Sequence, residues 1–355
     1  MKLRDQLLRL LATGLFIGIG VQANEATPHA TAQSVPYDSA KYPGLPPRVY
    51  RYAKPGAPLV LPPVAMPTAA DKAILQSTTS PFAISQTNPV VFHNGYVLEP
   101  GTQAYNVFWE PWDPNSYSWY NWKMNVFFGD INQSQYDNNL TQYYDMSPYS
   151  GAIHIQNSSR LVASWQDTQG YPESTITPGD IANEVNRAIN VNNWPADSNS
   201  QVNVFIGSGN VALGSGGPCA WHALSTVPGG MQVQITAIGY YNSSTSQSCP
   251  IPACPSACNA DWALTDLAHE TFEVTSDPGT PGGGSTGWWD PYSSPGEIGD
   301  KCAYHFSQMT LQNNTANHIF GPRYYLLQDM WNNVYTGPPN GGTGGNCSPY
   351  GPSYP

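Results

Sequence analysis

His269-Glu270-Thr271-Phe272-Glu273 is the segment on which the reading of this chain turns, because it sits in a helix-like run from about Asp261 to Val274. On a helix, residues four apart share a face with Cβ atoms about 5–6 Å apart, so His269 and Glu273 can grip one metal while Glu270 reaches a bound water. The layout is that of a zincin motif with one ligand changed, since the familiar form carries a second histidine where this chain has Glu273. A plainer reading competes, in which charged side chains on one helix face solvent or cap their neighbours.

Working outward, the chain continues with Asp277-Pro278, a glycine-rich stretch from Gly279 to Gly287, Trp288-Trp289-Asp290, and Glu297-Ile298-Gly299-Asp300-Lys301-Cys302. Only 10% of the residues are charged, yet eight of the 24 acidic ones fall between Asp261 and Asp300. Crowded carboxylates repel unless a cation or a shared proton relieves them. A metal provides that relief, with Asp277, Asp290, Glu297 or Asp300 as the third ligand beside His269 and Glu273. Acids in turns also serve as caps and Asx-turns, which is the structural alternative.

The first residues read as a secretory signal, residues 1–23, in which Lys2 and Arg4 precede an apolar core from Leu10 to Val21 and Val21-Gln22-Ala23 forms a small-x-small cleavage site. That apolar core is short for a spanning helix, and no later run is long enough, so no membrane is expected as a partner. In an exported protein Cys219, Cys249, Cys254, Cys258, Cys302 and Cys347 read as disulfides. The expected links are a local one within Cys249, Cys254 and Cys258 and a longer one from Cys302 to Cys347. A zinc site on Cys219-x-x-His222 and Cys254-x-x-x-Cys258 is the rival that an oxidising compartment disfavours. The net charge of -11, without any cluster of basic residues, argues against nucleic acid.

Residues 24–88 are rich in Pro, Ala, Ser and Thr and read as an extended leader or propeptide. Residues 89–337 are long enough for one domain, and residues 338–355 form a Gly/Pro-rich tail, loose except at Cys347. Ala104 to Trp109 reads as a strand and Trp119 to Ile131 as a helix. Strands follow at Ala152 to Ile155 and Leu161 to Ser164. Thr177-Pro178-Gly179-Asp180 then opens a helix whose Ile181, Val185, Ala188 and Ile189 recur at helical spacing. Val202 to Ile206 and Met231 to Tyr241 read as strands ahead of the motif helix, for which Asn259 is the expected cap. This order predicts a single zincin-like domain of the α/β (α+β) class, with a mixed sheet, a metal-motif helix and disulfides.

Several segments in consistent order resemble the EXORDIUM-like, phosphate-induced protein 1 family and its microbial relatives. They are His93-Asn94-Gly95, Val107-Phe108-Trp109, Cys219-Ala220-Trp221-His222, Cys249-Pro250 with Cys254 and Cys258, Ala268-His269-Glu270 with Glu273, and Glu297 to Cys302. The family's His-Glu-x-x-Glu and its following Asx-Pro pair are kept here in His269 to Glu273 and Asp277-Pro278. The glycine-rich Gly279 to Gly287 and the long leader depart from the pattern. The resemblance implies an exported protein, associated in plants with the cell wall, and brings no agreed enzymatic activity.

Two functions follow. The first is a secreted metal-dependent hydrolase, peptidase-like, with His269 and Glu273 holding the metal, one downstream acid completing the site and Glu270 as general base. Two carboxylates and one imidazole make a harder site than two imidazoles, so manganese and calcium stand beside zinc. Tyr304, His305 and His318 are candidates to stabilise an oxyanion. The second is a non-catalytic extracellular protein that binds cell-wall polysaccharide through an aromatic surface. The absence of a G-x-S-x-G elbow, with every cysteine assigned to a disulfide, argues against a serine or cysteine hydrolase.

Overall fold

Runs of β-branched and aromatic residues build the centre of one sheet, and among the described residues three helices cover its two faces. The structure is a computed structural model. It describes residues 88–109, 118–147, 151–207, 212–213, 219–227, 230, 232–241, 251–256, 258–279, 287–292, 296–307, 309–333 and 344–351. The expected signal segment, all but the last residue of the expected leader, and Cys249 lie outside the described residues.

In chain order the elements are β1 (Val91–Phe92), β2 (Thr102–Trp109), α1 (Ser118–Ile131), β3 (Tyr144–Ser147), β4 (Gly151–His154), β5 (Ser159–Asp167), β6 (Thr175–Ile176), α2 (Pro178–Asn192), β7 (Ser200–Ile206) and β8 (Ala212–Leu213). They continue with β9 (Ala220–Thr226), β10 (Gln232–Ile238), α3 (Cys258–Ser276), β11 (Trp288–Trp289), β12 (His318–Phe320), β13 (Arg323–Tyr325), β14 (Met330–Asn333) and β15 (Gly345–Ser348). The main sheet has the order β5-β2-β7-β10-β9. Its first four strands run parallel, and β9 closes one edge antiparallel to β10. The domain is therefore mixed α/β. Two-stranded ladders surround the sheet: β1 with β11, β3 with β4, β6 with β8, β12 with β13 and β14 with β15.

The sheet divides the core in two. On one side Ile181, Val185 and Ala188 of α2 pack on Val202, Val204, Val233 and Ile235. On the other, Tyr120, Met124 and Phe127 of α1 and Trp262, Leu264, Leu267 and Phe272 of α3 form the larger cluster. Strand parity explains the division, since successive side chains point to opposite faces. Thus Trp221 and Ala223 of β9 join the α2 side, and His222 between them turns toward α3.

Helix α2 starts as its sequence predicts. Thr177 accepts from the Asp180 backbone N–H while the Asp180 side chain accepts from that of Thr177, and Pro178 stands at the first turn. Helix α3 begins differently, and it is longer than the expected run, spanning Cys258–Ser276. Asn259 lies inside it and does not cap it. Its Oδ1 accepts from Ala260 N and its Nδ2 donates to Tyr240 Oη. The helix start is held instead by Ser256, whose N–H and hydroxyl donate to the two oxygens of Asp261 at 2.8 and 2.5 Å.

The tail is a correction of a second kind. Residues 345–348 form β15, paired with β14 through four residue pairs, so the end of the chain is stitched to the domain and is not loose there. A disulfide between Cys302 and Cys347 reinforces the join, and a second links Cys254 to Cys258. Cys219 is disulfide-bonded as well. No thiol among these five is left for the rival zinc site. No helix among the described residues is long and apolar enough to cross a membrane.

Candidate metal centre

Three segments distant in sequence converge on one buried cluster. Helix α3 contributes His269, Glu270 and Glu273, edge strand β9 contributes His222, and the turn that enters a short 3₁₀ segment at Asp300–Cys302 contributes Glu297 and Asp300. The helical spacing of four does what the sequence implies, placing His269 Nε2 3.1 Å from Glu273 Oε1. Asp300 Oδ1 lies 3.6 Å from the same imidazole nitrogen, and the Asp300 backbone N–H donates to Glu273 Oε1 at 2.8 Å. His269, Glu273 and Asp300 thus present three ligand atoms within 4.8 Å of one another.

His222 faces the other half of the cluster. Its Nδ1 is 2.8 Å from Glu270 Oε2 and 3.6 Å from Glu273 Oε2, while its Nε2 is 3.4 Å from Glu297 Oε1. His222, Glu270 and Glu273 form a second set of three ligand atoms within 4.8 Å. Two imidazoles are the basic partners of these four carboxylates, and no lysine or arginine among the described residues pairs with them.

Electrostatics follow from that arrangement. Burial alone opposes charge on His222, but the carboxylates of Glu297 and Glu270 outweigh it and push the imidazole well above its ordinary value. His269 behaves likewise, with Glu273 and Asp300 overcoming its desolvation. Burial raises Glu273 well above the carboxylate range against the pull of His269, and Asp300 and Glu297 add to the rise. Asp266, one turn earlier on α3, is raised by burial and by Glu270, and its Oδ2 has no hydrogen-bond partner.

Gln328 buttresses the site from behind. Its Nε2 donates to Gly299 O at 2.7 Å and its Oε1 accepts from Tyr304 N at 3.0 Å, which fixes the amide's orientation. The remaining amide hydrogen points at His269 Nδ1, 3.0 Å away, so that nitrogen accepts and the ring proton sits on Nε2 toward Glu273 and Asp300. The carboxylates favour a second ring proton, and only a Gln328 amide turned to offer its oxygen meets it. Ligation through Nε2 makes the same demand, because Nδ1 must then carry the hydrogen.

The other candidate acids are used elsewhere. Asp290 pairs through Oδ2 with Lys301 Nζ at 2.6 Å, both side chains fully buried, and accepts from Tyr292 N through Oδ1. It is a structural partner of Lys301, which also lies 4.2 Å from the centre of the Trp331 ring. Asp277 follows the end of α3, and its Oδ1 accepts from Gly287 N at 2.6 Å, which closes the base of the glycine-rich insertion. Neither acid joins either set of ligand atoms. Both are corrected as metal-ligand candidates for the same physical reason, a strong local donor within reach.

Of the three oxyanion candidates, only Tyr304 comes to the cluster. Burial pushes its phenol up to about 12, with Asp266 and Glu270 adding to the effect, and its backbone is left-handed at φ 57°. His305 is tied to Asp329 at 2.8 Å, and His318 is buried against Tyr136 and Phe320. Sequence reasoning offered His222 as a ligand only in the rival Cys219-x-x-His222 zinc site and passed over Asp266 and Gln328. The alternation around Trp221-His222-Ala223 carried a signal for His222, but only the sheet register shows what faces it. Comparison with protein-family models, curated proteins and solved structures gives no match for this chain.

Proposed function

We propose that the protein is a secreted metal-dependent hydrolase, peptidase-like and zincin-like in layout, with a divalent cation on His269, Glu273 and Asp300 and Glu270 as general base. The observation that supports it most is the arrival of Asp300 at the imidazole and carboxylate that α3 already presents. One imidazole and two carboxylates suit zinc first, with manganese and calcium beside it. The donor set fits such an ion in charge, since buried carboxylates without a cation or proton are costly, and ligation through His269 Nε2 turns the Gln328 amide over at the cost of its bonds to Gly299 O and Tyr304 N. Bound there, a divalent cation supplies Lewis acidity and acidifies a water toward a pKa of about 7.

Glu270 would be the group that takes a proton from a water held there. Its side chain is buried and is oriented by His222 Nδ1 at 2.8 Å, so it is held rather than free to wander. His222, His269, Glu297 and Asp300 keep between 12% and 18% of their side-chain surface exposed, so the cluster is not sealed from solvent. Tyr304, whose hydroxyl lies 3.8 Å from Cys219 Sγ, is the candidate donor to a developing oxyanion. The segments that resemble the EXORDIUM-like family, around His222, His269 to Glu273 and Glu297 to Asp300, are the ones that supply this cluster. The net charge of -11 argues against nucleic acid as the substrate.

The test uses the exported chain stripped of metal, reloaded with one equivalent of zinc, manganese or calcium, and incubated with a mixed peptide library. Cleavage is expected with at least one ion. Glu270→Gln should lower it by roughly 10²-fold or more, the scale of lost acid–base catalysis, while the first equivalent stays bound. His269→Ala should lose that equivalent. A wild-type chain that cleaves nothing with any of the three ions overturns the hydrolase reading.

A further inference from the structure

We propose that the cluster holds a second divalent cation, on His222, Glu270 and Glu273, bridged to the first by Glu273, and that filling it removes Glu270 from its role as base. The inference rests on the first cation site of the preceding section. Its starting point is the way the two oxygens of Glu273 divide. Oε1 lies 3.1 Å from His269 Nε2 and accepts from Asp300 N, whereas Oε2 lies 3.6 Å from His222 Nδ1. Each oxygen therefore faces its own imidazole and its own second carboxylate, Asp300 on one side and Glu270 on the other. A bridging carboxylate of this kind holds two ions about 3.5–4 Å apart in two-metal sites.

The surroundings of His222 fit ligation without rearrangement. When Nδ1 ligates, Nε2 must carry the hydrogen, and Glu297 Oε1 already stands 3.4 Å from it as an acceptor. A carboxylate behind a ligating histidine fixes the tautomer and raises ligand basicity. Asp266 adds a buried, unpartnered oxygen to this side of the cluster. More than nine-tenths buried, it leaves Oδ2 without a hydrogen-bond partner beside His269 and Glu270. One cation on the His269 side leaves Glu270, Glu297 and Asp266 with His222 alone for relief. A second cation on Oε2 of Glu273 supplies the rest.

Glu270 serves in both arrangements, but not at once. As a ligand it shares a lone pair with the ion, and the cation's charge lowers the basicity left for a water proton. Catalysis and double loading are therefore opposed, and metal above one equivalent becomes an inhibitor.

The experiment counts metal rather than activity. Stripped wild type, His222→Gln and Glu270→Gln are dialysed to equilibrium against rising zinc, and in parallel manganese, and bound metal is measured by elemental analysis. Wild type is expected to bind two ions per chain in two steps and each variant one. Peptide cleavage by the wild type should fall at least tenfold as the second step fills. Circular dichroism verifies folding, and because Glu270→Gln keeps the side chain's shape, it carries the test if His222→Gln does not fold. Saturation of the wild type at one ion, or two ions retained by the folded variants, overturns this proposal and leaves the first site standing. No bound metal at all overturns the first site and this one together.

Discussion

Gly299 shows how little space the cluster has. A Cβ built there would stand 2.8 Å from Glu273 Oε1 and 3.0 Å from His269 Nδ1, closer than such contacts allow. The missing side chain is what lets the turn from Glu297 to Asp300 lie against α3 and deliver both acids. Gly299→Ala is therefore expected to displace Asp300 from His269 and weaken first-site metal affinity by about 10–100-fold, the range for disturbed metal-site support. Gly170→Ala, where an added Cβ meets nothing within 4 Å, is the control. Titration calorimetry of both variants checks this, and equal affinities would sink the account. The sequence shows the Glu297-Ile298-Gly299-Asp300 run but not its partner, because the approach is set by tertiary packing. His269, Glu270 and Glu273 were legible since helix periodicity is local. Asp277 and Asp290 were misread because Gly287 and Lys301 claim them, and no spacing rule announces that.

Elements are held in register by a buried polar chain that crosses the sheet beneath α1 and α3. Asn125 Nδ2 donates to Ser164 Oγ, Asn106 Nδ2 to Asn125 Oδ1, and Asn203 Nδ2 to Asn106 Oδ1. Gln201 Nε2 then stands 2.8 Å from Asn203 Oδ1, 3.0 Å from Thr236 Oγ1 and 3.2 Å from Thr271 Oγ1 on α3. Thr271 adjoins Glu270, so the chain ends where the proposed base sits. In β7 the alternation of Val202 and Val204 with Gln201 and Asn203 is the pattern of a strand half exposed to water. Every residue of β7 is nonetheless buried, and its polar face is roofed by helices that its own sequence does not disclose. Asn203→Ala should cost about 1–3 kcal/mol, since it strands the buried Asn106 Oδ1. Asn106→Ala together with Asn203→Ala should cost clearly less than the sum of the two, because they share one interaction. Urea unfolding of the three variants measures both points, and strict additivity would contradict a connected chain.

For the whole molecule, the order of the expected strands and helices and the Cys302–Cys347 link were legible, while β9 as a strand and the pairing of β15 with β14 were not. Both depend on pairings between distant segments, and the Cys302–Cys347 disulfide at a separation of 45 residues is the covalent form of the same long-range closure. Global stability also records what the fold does to His318, which lies between β-ladder and core against the rings of Tyr136, Phe320 and Tyr350. Burial among these rings pushes it down to about 3, and its Nε2 has no hydrogen-bond partner. Above pH 6.5 the imidazole is neutral in both folded and unfolded chains and contributes no pH dependence. Between 6.5 and about 3 the unfolded chain takes up a proton that the folded chain refuses, so stability falls as pH falls, by about 1.4 kcal/mol per unit. His318→Phe keeps a ring in the same stack and removes the titration. The other buried acids titrate alike in both proteins, so the difference between variant and wild type isolates this one group. That difference, from urea unfolding at pH 7.5 and 4.5, should shift toward the variant by about 2–3 kcal/mol on acidification. A difference that stays constant between the two pH values would mean that His318 is not held neutral by the core.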